Sequence, residues 1–173
     1  DWLRPRMPGL DGEVSVEQFK GGQSNPTYLL TARSSAGERR FVMRRKPPGK
    51  LLPSAHAVDR EFRVISALAQ TDVPVAKAHV LCQDPEVIGT DFYVMDHVDG
   101  RIFWDSTLPG MTPPERGAIY DEMNRVMAAL HRVDPVAIGL GDYGRPGNYV
   151  ARQIERWTKQ YRAAETEPIP AAD

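Results

Sequence analysis

Two adjacent glycines between strand-like runs limit what this chain can fold into more than any other feature. The stretch reads Phe19-Lys20-Gly21-Gly22-Gln23-Ser24-Asn25-Pro26-Thr27-Tyr28-Leu29-Leu30-Thr31-Ala32, then a polar turn, then Arg39-Arg40-Phe41-Val42-Met43-Arg44-Arg45-Lys46. A glycine pair between apolar or β-branched runs signals a hairpin, because Gly reaches backbone angles that a Cβ disfavours. This loop is longer and more polar than a tight turn requires. Gly21 and Gly22 leave backbone bare, and Ser24, Asn25 and Thr27 add side-chain donors, so a phosphate could collect hydrogen bonds there. Taken alone, the same glycines also fit an ordinary hairpin loop.

The next run supplies a cation. In an extended segment side chains alternate, so Val42 and Arg44 share one face while Phe41 and Met43 share the other. An apolar side chain and a guanidinium then look into one cleft, the first suited to a base and the second to a phosphate.

Beyond this run, Pro47, Pro48, Gly49 and Pro53 interrupt regular structure, and Ser54 can cap a helix reaching about Gln70. Val58, Phe62, Ile65 and Ala69 recur as a buried stripe, with Glu61 at its edge. Glu61 either faces a cation on the core side or pairs with Arg60 or Arg63 on the surface. Residues 78–83 and 92–98 read as two short strands around a turn at Asp84-Pro85-Glu86, and Gly100 frees the chain after the second. Helices follow. Thr112-Pro113-Pro114-Glu115 is a capping box with proline at the first helical position, and Pro135 closes that helix. Ile119, Met123, Val126 and Leu130 predict a buried face on it. Val150, Ile154, Trp157 and Tyr161 predict another on a helix starting after Asn148.

One motif misleads. Gly139-Leu140-Gly141-Asp142-Tyr143-Gly144 spells the dinucleotide pattern G-x-G-x-x-G, but that fingerprint needs a strand before it and a helix opening on it. Here Pro146 follows closely and Asp142 would set a carboxylate against a pyrophosphate.

Composition narrows the class. At 173 residues the chain can build a real core. A net charge of −1 gives no pointer to nucleic acid or to an anionic membrane. No apolar run approaches the roughly 20 residues of a membrane helix. Cys82 is the only cysteine and can form no internal disulfide, so a reducing cytoplasmic setting is expected. Asp1 in first place and the linker-like Pro168-Ile169-Pro170 lead us to expect a piece of a longer protein.

In order, the chain offers strand, glycine loop, two strands, helix, two strands, glycine exit and helices. It resembles the aminoglycoside phosphotransferase family, whose fold is that of protein kinases, in the branch found beside or fused to acyl-CoA dehydrogenases. The resemblance rests on Phe19-Lys20-Gly21-Gly22-Gln23-Ser24-Asn25, Phe41-Val42-Met43-Arg44-Arg45-Lys46-Pro47-Pro48-Gly49, and Arg60-Glu61-Phe62-Arg63-Val64-Ile65-Ser66-Ala67-Leu68. It extends to Tyr93-Val94-Met95-Asp96-His97-Val98-Asp99-Gly100-Arg101 and to Gly144-Arg145-Pro146 with Arg152-Gln153 and Trp157.

The resemblance implies an α+β fold. Residues 1–98 would form an ATP-binding lobe with a five-stranded antiparallel sheet and one helix; residues 99–173 would hold the hinge exit and first helices of an incomplete helical lobe. It implies that Gly21, Gly22, Gln23, Ser24 and Asn25 cover the ATP phosphates, and that Arg44 replaces the usual third-strand lysine and pairs with Glu61. Val42 lines the pocket. The resemblance further implies that Asp96 and Val98 would read the adenine edge through their backbone, with Met95 setting pocket depth and His97 a bystander. The implied partners are ATP with Mg²⁺, a small-molecule hydroxyl acceptor such as a hydroxyacyl thioester, and an acyl-CoA dehydrogenase.

One departure stands out. The family's catalytic H-G-D-x-x-x-x-N loop and its later metal-binding Asp are missing from these residues. Near Asp142, the only catalytic candidate, Leu140 takes the histidine's place and Asn148 lies one residue too far. The catalytic loop and the magnesium ligands are therefore expected past residue 173, leaving the fragment inactive by itself. A catalytically inactive nucleotide-binding or protein-interaction module would share this sequence; the residues that follow separate the cases.

Overall fold

The computed structural model describes residues 1–20, 25–49, 56–144 and 147–164. Two compact units emerge, Asp1–Asp134 and Pro135–Asp173. The first is built on an antiparallel sheet of β1 (Glu13–Gln18), β2 (Thr27–Ser34), β3 (Gly37–Arg45), β4 (Ala78–Cys82) and β5 (Phe92–Asp96). Spatial order is β1-β2-β3-β5-β4. Helix α1 (Val58–Leu68) crosses between β3 and β4 and packs on β4 and β5.

Register follows from the alternation on β3. Val42 stands opposite Met95 and Arg44 opposite Tyr93, while Phe41 and Met43 face Asp96 and Val94 on the other surface. That other surface is the core. Phe41, Leu30, Ala32, Phe92, Val94 and Cys82 pack there with Met7 and Leu10, supported by Trp2, Leu3 and Met43. Residues 1–12, which carry no strand or helix pattern in the sequence, thus pack four apolar side chains on this face of the sheet. Their turn into β1 requires Gly12: its φ is +76°, and a Cβ there would lie 2.0 Å from the Arg33 carbonyl oxygen.

Some boundaries differ from expectation. Ser54, expected to cap α1, lies outside the described residues; the helix starts at Val58 behind Ala57, which makes no side-chain cap. The turn at Asp84 is a one-turn helix, α2 (Pro85–Ile88), capped by the Asp84 carboxylate accepting from Glu86 N–H. Helix α3 (Pro113–Arg132) opens on the expected capping box, with Thr112 and Glu115 bonded reciprocally.

The expected burial of α3 fails. Among its described residues none is buried, and Met123, Met127 and Leu130 are exposed. In the second unit, α4 (Tyr149–Ala164) likewise exposes Val150, Ile154 and Trp157. Periodicity sets which side of a helix is apolar, but burial needs a facing surface besides. Residues 135–138, just before the G-x-G-x-x-G match, form turns and not a strand, so the strand that a dinucleotide fingerprint needs is absent there. No helix among the described residues is long and apolar enough to cross a membrane.

Candidate functional site

The site begins with the cross-strand pair Arg44–Tyr93, which puts a guanidinium and a phenol side by side on the sheet face opposite the core. Helix α1 passes this face and presents Glu61 to both. Arg44 Nε lies 2.8 Å from Glu61 Oε2. The N–H does not point along that line, so the contact is an ion pair by distance and not an aligned hydrogen bond. Tyr93 O–H donates to the same oxygen at 3.2 Å, and Asn25 Nδ2 donates to Oε1 at 2.9 Å. Both carboxylate oxygens are therefore engaged. The surface alternative for Glu61, pairing with Arg60 or Arg63, gives way to the inward one.

The pair is half-buried, with 34% of the Arg44 and 35% of the Glu61 side chain exposed. Water screens it in part, so its worth lies closer to the small energies of surface pairs than to those of buried ones. Its value is positional. Tyr93 is held neutral: burial, then the neighbouring Glu61 charge, push its ionisation well above the ordinary tyrosine range, against a smaller opposing effect of Arg44. The phenol is thus a standing donor to the carboxylate. Phe62, one residue beyond Glu61, meets the Tyr93 ring edge-on at 6.1 Å and fixes its plane.

Lys46, the other cation nearby, is committed elsewhere. Its Nζ donates to Asp91 Oδ2 at 2.6 Å, and its backbone N–H donates to Asp91 O, tying the end of β3 to the start of β5.

Two donors expected to face a ligand turn inward instead. Asn25 is only 5% exposed and its amide bonds Glu61, while Thr27 Oγ1 donates to Asn25 O at 3.0 Å. The physical reason is that a buried amide must find partners, and α1 provides them. Gly21, Gly22, Gln23 and Ser24 lie outside the described residues. Val42 is buried beside the half-buried Met95. Asp96 ends β5 with its carboxylate 2.6 Å from His79 Nε2 and its backbone N–H donated to Lys77 O; Val98 beyond it is exposed. Arg40 Nη2 grips both oxygens of Asp99 at 2.7 and 3.0 Å, fastening the chain where it leaves the sheet. His97 Nδ1 stands 3.7 Å from the same Asp99. Asp142 sits in an exposed turn of the second unit.

Sequence reasoning missed Tyr93, His56 and the inward role of Asn25. For Tyr93 the signal was partial: it lay within an expected strand, but its place opposite Arg44 follows from the β3–β5 pairing, which the sequence left open. His56 offered none.

The model of the phosphotransferase enzyme family matches residues 15–173. A crystal structure described as that of an aminoglycoside phosphotransferase from Ralstonia eutropha JMP134 is similar, at 59% identity and a TM-score of 0.80. The match covers 98% of this chain and 48% of that one. A protein named probable acyl-CoA dehydrogenase IBR3 from Arabidopsis thaliana is 53% identical over 95% of this chain and 20% of its own length. Acyl-CoA dehydrogenase family member 10 of Mus musculus is 49% identical over 100% of this chain and 16% of its own. The chain therefore spans a fifth or less of the length of these two relatives.

Proposed function

The chain belongs to the phosphotransferase enzyme family, with its kinase-like α+β fold, and from this we propose that the intact protein is an ATP-dependent small-molecule kinase. It moves the γ-phosphate of ATP to a hydroxyl of a small metabolite. A hydroxyacyl thioester is the acceptor class to try first, because relatives bear the names of acyl-CoA dehydrogenases. By the same analogy the protein works beside such a dehydrogenase, and its single cysteine, Cys82, fits the reducing setting of the cytoplasm.

The observation that carries the reading is the way Arg44 meets Glu61. Contact is through Nε, which leaves the two terminal nitrogens of the guanidinium for a second anion, in the forked geometry that suits phosphate. A lysine in that place would have one nitrogen for both tasks. The arginine thus fits as an anion clamp whose rear is fixed by a carboxylate.

Around it, residues 1–98 serve as the ATP lobe and residues 99–173 as the hinge exit and first helices of the second lobe. Val42 and Met95, neighbours on the same sheet face, would flank the base. The Asp96 carbonyl and Val98 amide would read its edge. The backbone of Gly21, Gly22, Gln23, Ser24 and Asn25 would cover the phosphates. Magnesium, when bound, supplies charge neutralisation between phosphates. The magnesium ligands that the family's pattern calls for, a catalytic-loop Asn and a later Asp, have no counterpart at matching spacing in these residues. We assign its ligands and the catalytic base to sequence outside these 173 residues.

Arg44→Met in the intact protein tests the reading. ATP turnover should fall by about 100-fold or more while the far-ultraviolet circular dichroism stays unchanged. Turnover at the wild-type level would remove Arg44 from its role.

A further inference from the structure

Asn25 and Thr31 are the buried polar residues among those described, and the two ends of the Asn25 side chain reach opposite partners. Its Nδ2 donates to Glu61 Oε1 at 2.9 Å; its Oδ1 lies 2.9 Å from His56 Nδ1. The carboxylate settles the orientation of the amide. A flipped Asn25 would set its carbonyl oxygen against an anionic oxygen, which no proton bridges. Once Oδ1 faces His56, the histidine must carry a proton on Nδ1, because two acceptors cannot bond. Glu61 therefore dictates Asn25, and Asn25 dictates the imidazole.

His56 stands two residues ahead of α1 with φ at +59°. A non-glycine residue in this region costs of order 1 kcal/mol and persists where its surroundings hold it. The hydrogen bond to Asn25 is such a hold, and so is the backbone bond from Val58 N–H to His56 O at 2.9 Å.

We propose that Asn25, backed by His56, is a positioning residue for the Arg44–Glu61 pair: it fixes the Glu61 carboxylate from the side opposite Tyr93, so that the Arg44 guanidinium is held ready for phosphate. Tyr93 and Asn25 approach different oxygens of one carboxyl group. Two anchors on two oxygens fix the rotation of that group, and with it the direction in which Arg44 is drawn. The proposal rests on Arg44 binding phosphate, as proposed above.

The test compares ATP with adenosine, which lacks the phosphates. In the intact protein, Asn25→Ala removes the bonds to Glu61 and His56 without adding a charge that would itself repel the phosphates. Affinity for ATP should fall about tenfold, while affinity for adenosine stays within about twofold, since only the phosphate contact is disturbed. His56→Gly removes the imidazole and accepts the positive φ, so it folds without strain. It should show the same selectivity with a smaller loss, about threefold. Nitrogen-15 spectra of the wild type should show His56 carrying a proton on Nδ1.

Equal losses for ATP and adenosine would mean a general structural role and would overturn the proposal. Wild-type ATP affinity in both variants, or a His56 with its proton on Nε2 alone, would also overturn it. Should the wild type bind ATP no better than adenosine, the phosphate role of Arg44 falls, and the positioning role falls with it.

Discussion

Strands β3 and β5 and helix α3 belong to the same compact unit and each carries apolar side chains at regular spacing, yet Phe41, Phe92 and Val94 are buried and no described residue of α3 is. On β3 and β5, Phe41, Phe92, Tyr93 and Val94 are almost wholly enclosed; on α3, Met127 remains 52% exposed and Met123 55%. The sheet finds partners on both faces within this chain: residues 1–12 on the core face, and α1 on the other. Along α3, Phe103, Ile119, Met123, Val126, Met127 and Leu130 instead line an open apolar groove of about 890 Å³. Amphipathic pattern and actual burial are therefore separate quantities, and only the first can be read from spacing.

The contrast gives a ranked set of tests. Phe41→Ala should cost about 3–5 kcal/mol, the range for emptying a packed core position, read from urea denaturation. A loss below about 1 kcal/mol would mean that the sheet core is no better packed than α3. Gly12→Ala should cost about 1–2 kcal/mol, since Ala pays for a positive φ and meets the Arg33 carbonyl. If it is neutral, the seal made by residues 1–12 is looser than the sheet it covers.

Tyr93→Phe should cost about 1 kcal/mol for one hydrogen bond to a carboxylate, and it sharpens the comparison through pH. The folded state holds the Tyr93 proton more tightly than an unfolded chain, whose value is near 10. The resulting stability is complete below that value and drains away as pH rises through and beyond it. Between about pH 9 and about pH 11 the wild type should therefore lose more stability than Tyr93→Phe; parallel losses would contradict the burial and charge assigned to this phenol. Last, Met127→Gln on the exposed face should change stability of this chain by less than about 0.5 kcal/mol. A loss of several times that would show that α3 is covered after all.

Much of the candidate site was legible beforehand. Alternation on β3 separated Val42 and Arg44 from Phe41 and Met43, and helical spacing brought Glu61 to the edge of a buried stripe. Whether Glu61 turned inward stayed open, because a surface pairing with Arg60 or Arg63 satisfies the same local rules. The side-chain partners of Asn25 stayed open for a related reason. A polar side chain beside a glycine pair reads as a ligand donor, and only the approach of α1 makes it a structural bridge. Residues 1–12 carry no periodicity, since an irregular segment needs only a few apolar side chains in reach of a sheet.

By itself the sequence determined the strands of the sheet, the alternation that divides their faces, the start of α3 through its capping box, and the order of motifs that places the chain in its family. These are local matters of hydrogen-bonding propensity, side-chain period and turn chemistry, written into neighbouring residues. Tertiary structure alone decided that Asn25 and Tyr93 converge on the Glu61 carboxylate, with His56 behind Asn25. It alone decided that residues 1–12 pack on the core and that Met123, Met127 and Leu130 of α3 are exposed among the described residues. Each of these depends on which distant surface arrives opposite a given side chain, and contact between residues thirty or more positions apart leaves no periodic trace along the chain.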